Sequence, residues 1–298
     1  MVYIPFVPLP TTMPDRSRIT AFFDGASSKV YSYRDLATLL HENRSAWGFP
    51  STTTIRDYLQ YLVEQTQMHV AALTSDVIAA PTKYVWGNAS PYEVALSLRP
   101  KAYLSHGTAV YLLGLTDRFA RVIHLNQEQS SKPKGDPHSL TQESIRRAFA
   151  GQQRQSRLFF SYETWTIQVL NGKFTNHLEV GTVATPDGLT VPVTKLERTL
   201  IDIAVRPLYA GGIHQVLDAY RAARDRVSSN VLASTLRKLD YVYPYHQVVG
   251  FYLDRAGYGD AALAKMREFG VQFDFFLTYG MKDTDFDSKW RLFIPKAF

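Results

Sequence analysis

Residues 51–63 read STTTIRDYLQYLV. Four hydroxyl residues, Ser51 to Thr54, precede apolar positions at Ile55, Leu59, Leu62 and Val63. That spacing predicts a helix with one buried stripe and a small, hydrogen-bonding N-terminal turn. Thr52, Thr53, Arg56, Gln60 and Glu64 fall on its outward face. Upstream, Ile19, Phe22 and Phe23 predict a short helix within 14–23, stopped by Asp24-Gly25. Lys29 to Tyr31 predict a brief strand, and Ser32 caps a second helix carrying Leu36, Leu39 and Leu40. Downstream, two β-prone runs at 68–73 and 82–86 flank a turn-rich stretch. Three helices followed by a two-stranded ribbon is the order of a winged helix-turn-helix, and Gly87-Asn88-Ala89 closes it as a first domain over 1–88.

In such a unit the start of the second helix of the helix-turn-helix meets the major groove, so its residues must be short and able to bond phosphates or base edges. Ser51, Thr52, Thr53 and Arg56 meet that need, and Gln60, one turn on, is placed to reach an adenine edge of double-stranded DNA. Two features weigh the other way. Three helices and a hairpin also make plain protein-binding modules, and the run of hydroxyls is independently favoured as a helix cap. Residues 1–88 also hold seven Lys/Arg against seven Asp/Glu, no excess with which to neutralise phosphates.

The whole chain of 298 residues carries a net charge of +6. Most of that excess sits in 89–160, with ten basic and five acidic residues, among them Arg118, Arg121, Lys132, Lys134, Arg146, Arg147, Arg154 and Arg157. Such a segment attracts a polyanion or an acidic partner, or is simply a solvated surface. There is no cysteine, which excludes disulfides, thiolate metal sites and a thiol nucleophile. No apolar run approaches the length of about 18 residues that spans a membrane. The proline-broken start lacks the basic region of a signal peptide, so a cytoplasmic protein without a membrane partner is expected.

Residues 89–298 predict a larger α+β domain with a helical C-terminal half. Ser90 with Glu93 predicts a capped helix to Leu98, and a second helix runs from Ser105 to Gly114. A strand is expected at 122–125, a solvated loop at 126–140 and a helix at 141–150. Strands at 158–162, 164–170, 174–180 and 190–193 follow, with turns at Asn171-Gly172 and Asp187-Gly188. Helices come after Thr194 and near 213–223, 231–239, 245–256 and 260–269, and 271–277 adds a strand.

Chemistry-bearing motifs are sparse. No H-E-x-x-H, phosphate-cradling glycine loop or G-x-S-x-G elbow is present, so neither a cofactor nor a metal is expected. His106 opens a helix but has no partner in sequence and reads first as a packing residue. Asp202, between Ile201 and Ile203, is expected to pair with an arginine or to cap a neighbouring backbone, because an unpaired buried charge is too costly to keep. A metal hydrolase built on Asp202 and Asp274 would need further converging carboxylates.

Tyr103 to Thr116 (YLSHGTAVYLLGLT), Val193 to Asp202 (VTKLERTLID) and Tyr209-Ala210-Gly211-Gly212 resemble AbiEi-type antitoxins, the antitoxin half of abortive-infection toxin–antitoxin pairs. The resemblance implies a non-enzymatic transcriptional autorepressor. Its winged helix would bind operator repeats, and its C-terminal domain would counter a nucleotidyltransferase-type toxin. By position it assigns DNA reading to Thr52, Thr53, Arg56 and a wing around Lys83 and Tyr84. The chain departs from the family pattern in carrying Glu64-Gln65-Thr66-Gln67 where a glycine is usual, and in lacking a central wing glycine.

Overall fold

A computed structural model describes residues 13–131, 140–296 and 298. The proline-rich start, Lys132 and Lys134 lie outside the described residues. The chain is of the α+β class.

The N-terminal unit is built from local signals that act as expected. Asp15 caps α1 (Arg16–Gly25), and capping boxes start α2 (Tyr33–Asn43), from Ser32 and Asp35, and α3 (Ile55–Gln65), from Thr54 and Asp57. The hydroxyl run thus divides: Thr54 holds the helix, while Ser51 to Thr53 form the turn before it. The buried stripe of α3 is Tyr58, Leu59 and Leu62, and Val63, expected inside, is exposed. Strands β1 (Val30–Ser32), β4 (Lys83–Trp86) and β2 (Met68–Val70) form an antiparallel sheet with β4 central.

Period-two alternation gives that sheet two buried faces. Tyr31, Met68 and Trp86 pack on the helices with Phe23, Trp47 and Tyr58. Val30 and Val85, register partners, point the other way and join the core of residues 89–193, with Tyr92, Leu98, Phe160 and Tyr162. The connection between β2 and β4 adds β3 (Leu73–Thr74), which pairs not with its neighbours but with β7 (Phe159–Tyr162) of the main sheet. Glu93, at the start of α4 (Pro91–Ser97), makes a third tie: its carboxylate accepts from Lys29 N (2.6 Å), Ser28 Oγ (2.9 Å) and Val30 N (3.2 Å).

The main sheet has seven strands in the order β3-β7-β8-β6-β5-β10-β9. It adds β5 (Tyr103–Leu104), β6 (Val122–Glu128), β8 (Trp165–Gly172), β9 (Val180–Ala184) and β10 (Thr190–Thr194). The β6–β8 and β5–β10 pairs are parallel. Ile123, Leu125, Ile167 and Val169 face the core shared with the N-terminal unit, so His124, Asn126 and Gln168, all buried, lie on the opposite face. That face is covered by α5 (His106–Leu112) and by α7 (Leu196–Val205) with the 3-10 turn Pro207–Ala210. Beyond these, α6 (Gln142–Ala150), α8 (Ile213–Ala223), α9 (Ser229–Leu239), α10 (Tyr245–Arg255) and α11 (Asp260–Arg267) share a large apolar core. A small sheet of β11 (Phe275–Phe276), β13 (Leu292–Pro295) and β12 (Thr284–Asp287) closes the chain.

Several expectations are corrected. Residues 126–128 belong to β6 rather than to a loop. The strand expected at 174–180 lies at 180–184: the Glu128 carboxylate accepts from Thr175 N (2.9 Å), and Asn176, His177 and Glu179 adopt positive φ, which breaks an extended run. Asn171-Gly172 is not a turn, because β8 runs on in register with β6. The β7–β8 turn is Glu163-Thr164, with Glu163 at φ 51°. Neither β12 nor β13 was anticipated.

Glu93→Ala would leave the backbone donor of Lys29 without its acceptor and that of Val30 with only the bond to Ser28 Oγ (3.3 Å). It is expected to lower unfolding free energy by about 1–3 kcal/mol. Urea unfolding followed by tryptophan fluorescence checks this, and an unchanged midpoint contradicts the tie.

Candidate functional site

Two regions gather polar groups. The first is the start of α3. Ser51, Thr52, Arg56 and Gln60 are exposed, and Thr53 is half-buried. Arg44 bridges the turn that presents them: its guanidinium donates to Pro50 O and Thr53 O, both at 2.8 Å. Gln60 Nε2 donates to Glu64 Oε1 (2.9 Å). Asp57 stands on the same turn, its carboxyl held below the usual range by hydrogen bonds from Thr54.

The expected wing residues sit elsewhere. Lys83 Nζ donates to Ser97 O at 2.6 Å, and burial lowers its pKa. Tyr84 packs against the helical core beside Tyr31. The outer part of the β2–β4 connection, residues 75–82, carries one charge, Asp76, and no cation, and it exposes Val77 and Ile78. The basic segment is also divided. Arg118 and Arg121 are exposed ahead of β6, where Arg121 donates to Thr164 Oγ1. Arg146 and Arg147 are exposed on α6, in the helical layer, with Arg147 3.7 Å from Glu143.

The second region is a cavity of about 320 Å³ between the main sheet and α7. Its floor is the carboxyl half of β6 and β8, at Asn126 and residues 170–172. Its walls include Arg154, Lys173, Arg198 and Arg206, with Asp202 the one carboxylate. Arg198 Nε donates to Asp202 Oδ1 at 2.8 Å, with both side chains about 6% exposed, so the pairing expected for Asp202 is present. Burial raises the Asp202 carboxyl and Arg198 opposes that, while Asp202 in turn holds Arg198 charged against burial. Lys173 Nζ donates to Leu239 O (2.5 Å) and Asp240 O (2.6 Å). Tyr241 and Tyr209 bring ring surface, and the Tyr209 hydroxyl accepts from Ser156 N (2.8 Å).

His106 lines this cavity from the first position of α5 at φ 50°, a conformation sparsely used by non-glycine residues. Its Nδ1 meets Ser105 Oγ at 2.8 Å. Burial, with Arg198 and Arg206 nearby, pushes its pKa down to about 3, and burial beside His106 does the same to His124. Gly107 is required behind them, since a Cβ there would stand 2.7 Å from Tyr209 O. Asp274 pairs with Arg291 at 2.7 Å, and no cluster of three metal-ligating side chains occurs among the described residues. Each carboxylate of the hydrolase alternative is thus matched to its own guanidinium. The cavity was missed in sequence because its residues come from separate segments; the one local signal was polar His124 and Asn126 alternating with Ile123 and Leu125.

No family model matches the chain, and no curated protein matches it. Among solved structures, the crystal structure of the RV2827C protein from Mycobacterium tuberculosis is similar, with a TM-score of 0.57 at 16% identity, covering 93% of this chain and 90% of that one. The likeness is one of fold. No helix among the described residues is long and apolar enough to cross a membrane.

The two imidazoles give a pH prediction. Their native pKa values of about 3 lie below the ordinary 6.5, so between those values the unfolded chain binds more protons and stability rises with pH. The stabilisation is complete above about pH 6.5 and is lost as pH falls toward 3, by at most about 1.4 kcal/mol per pH unit for each imidazole. Urea midpoints measured from pH 7 to 4 are expected to fall less steeply in a His106→Asn/His124→Asn variant. An identical slope contradicts the assignment.

Proposed function

We propose that this chain is a DNA-binding transcriptional regulator, the antitoxin partner of a toxin–antitoxin pair, and not an enzyme. Its N-terminal unit acts as a winged helix-turn-helix that reads operator repeats. The observation that carries this reading is the solvent-facing turn ahead of α3, where Ser51, Thr52 and Arg56 are exposed while Arg44 bonds the backbone carbonyls of Pro50 and Thr53. Short hydroxyls allow close approach to phosphates, and an exposed arginine supplies either a phosphate contact or a bidentate guanine contact. The reading places DNA contact on α3 and not on Lys83 and Tyr84, both of which are turned inward. Countering a nucleotidyltransferase-type toxin, directly or through its target, falls to residues 89–298 on the strength of the AbiEi-like segments.

A second reading, a protein-interaction module, is favoured by exposed Val63, Val70, Val77 and Ile78 and by the cation-free connection at 75–82. Fluorescence anisotropy with duplex DNA from upstream of the gene separates the two. The DNA reading expects binding that weakens with salt, and Arg56→Ala is expected to cost about 1–3 kcal/mol if the contact is to a base. If Arg56 meets only phosphate, the salt slope falls by about one instead. Binding by Thr52→Ala/Arg56→Ala as tight as by the parent, or none by the parent at moderate salt, rejects it.

A further inference from the structure

We propose that the cavity between the main sheet and α7 binds a small phosphorylated metabolite with a planar ring, of the size and chemistry of a nucleoside monophosphate. The inference is independent of DNA reading by α3.

A buried sheet face is ordinarily apolar, because polar groups there must find partners or cost free energy. On the β6–β8 face the opposite holds. Asn126 is 3% exposed and lines the cavity, yet its side-chain amide makes no hydrogen bond among the described residues. His106 is 9% exposed, and its Nε2 is equally without a partner there. Gly172 makes room for that amide: a Cβ at that position would stand 2.6 Å from Asn126 Oδ1. An amide with both a donor and an acceptor, set beside a neutral imidazole, is suited to the edge of a heterocycle.

Charge supplies the second half. Four cationic side chains line the cavity against one carboxylate, and that carboxylate is taken up by Arg198. Arg206 donates to the Arg154 carbonyl (3.0 Å), and neither arginine has a carboxylate partner among the described residues. Arg154 is exposed and Arg206 half-buried at the cavity wall, and each guanidinium carries paired N–H donors of the kind that bind phosphate oxygens. The cavity far exceeds one phosphate and falls at the small end of the range for small-molecule sites, while Tyr209 and Tyr241 offer ring surface. It lies at the carboxyl ends of β6 and β8, a parallel pair within this mixed sheet.

Isothermal titration of the full chain with AMP, GMP, CMP and UMP, and separately with inorganic phosphate, tests the proposal. At least one nucleotide is expected to bind with a Kd below about 1 mM and at least about tenfold tighter than phosphate. Arg206→Gln is expected to weaken it by about tenfold or more. Arg154→Gln, at an exposed position where folding is undisturbed, is expected to weaken it in the same direction. No binding of any of the four at millimolar concentration overturns the proposal. So does phosphate binding as tightly as every nucleotide, or a nucleotide affinity that neither arginine substitution alters.

Discussion

The N-terminal sheet is packed on both faces, with His69 and Val70 of its edge strand β2 left exposed. Tyr31, Met68 and Trp86 seat it on three helices, and Val30 and Val85 sink into the core of the second part of the chain. Interiors are close-packed, so a sheet shared between two cores transmits position and not merely proximity. The β3–β7 pairing and the three donors on Glu93 add directional bonds to that shared burial. The three N-terminal helices are therefore carried by the seven-stranded sheet as one body. The connection that would form a free wing is stitched to the sheet's edge, while α3 faces solvent.

The same sheet governs the second region. Its β6 and β8 strands turn apolar side chains toward the shared core and polar ones toward α5 and α7, which creates a buried polar surface that needs strong compensation. The Arg198–Asp202 pair, one turn apart on α7, provides part of it. Removing either partner would strand a charge in low dielectric and cost more than the pair itself contributes. Burial lowers the pKa of both histidines there, and the positive charges of Arg198 and Arg206 add to it at His106.

Much of the architecture was legible because it is written locally. Ser32 announces α2, Gly114 at φ 66° ends α5 where a C-terminal glycine belongs, and Asp202 between two isoleucines already called for a partner, which is Arg198. What escaped was set by distant partners. Residues 174–179 have strand-like composition, but Glu128, nearly fifty positions away, bonds their backbone into turns. Leu73-Thr74 reads as part of a hairpin and instead joins a strand almost ninety residues on. Lys83 and Tyr84 sit on a predicted ribbon in sequence, but neither alternation nor charge revealed that one ends on the Ser97 carbonyl and the other against the helices.

The central claim is that the turn before α3 is the surface offered to duplex DNA while the connection at 75–82 is not. Hydrogen exchange of the full chain, with and without DNA from upstream of the gene, tests it most directly. The account predicts added protection concentrated in 51–60, with little change at 75–82. Protection confined to 118–147, with 51–60 exchanging as in the free protein, would contradict it.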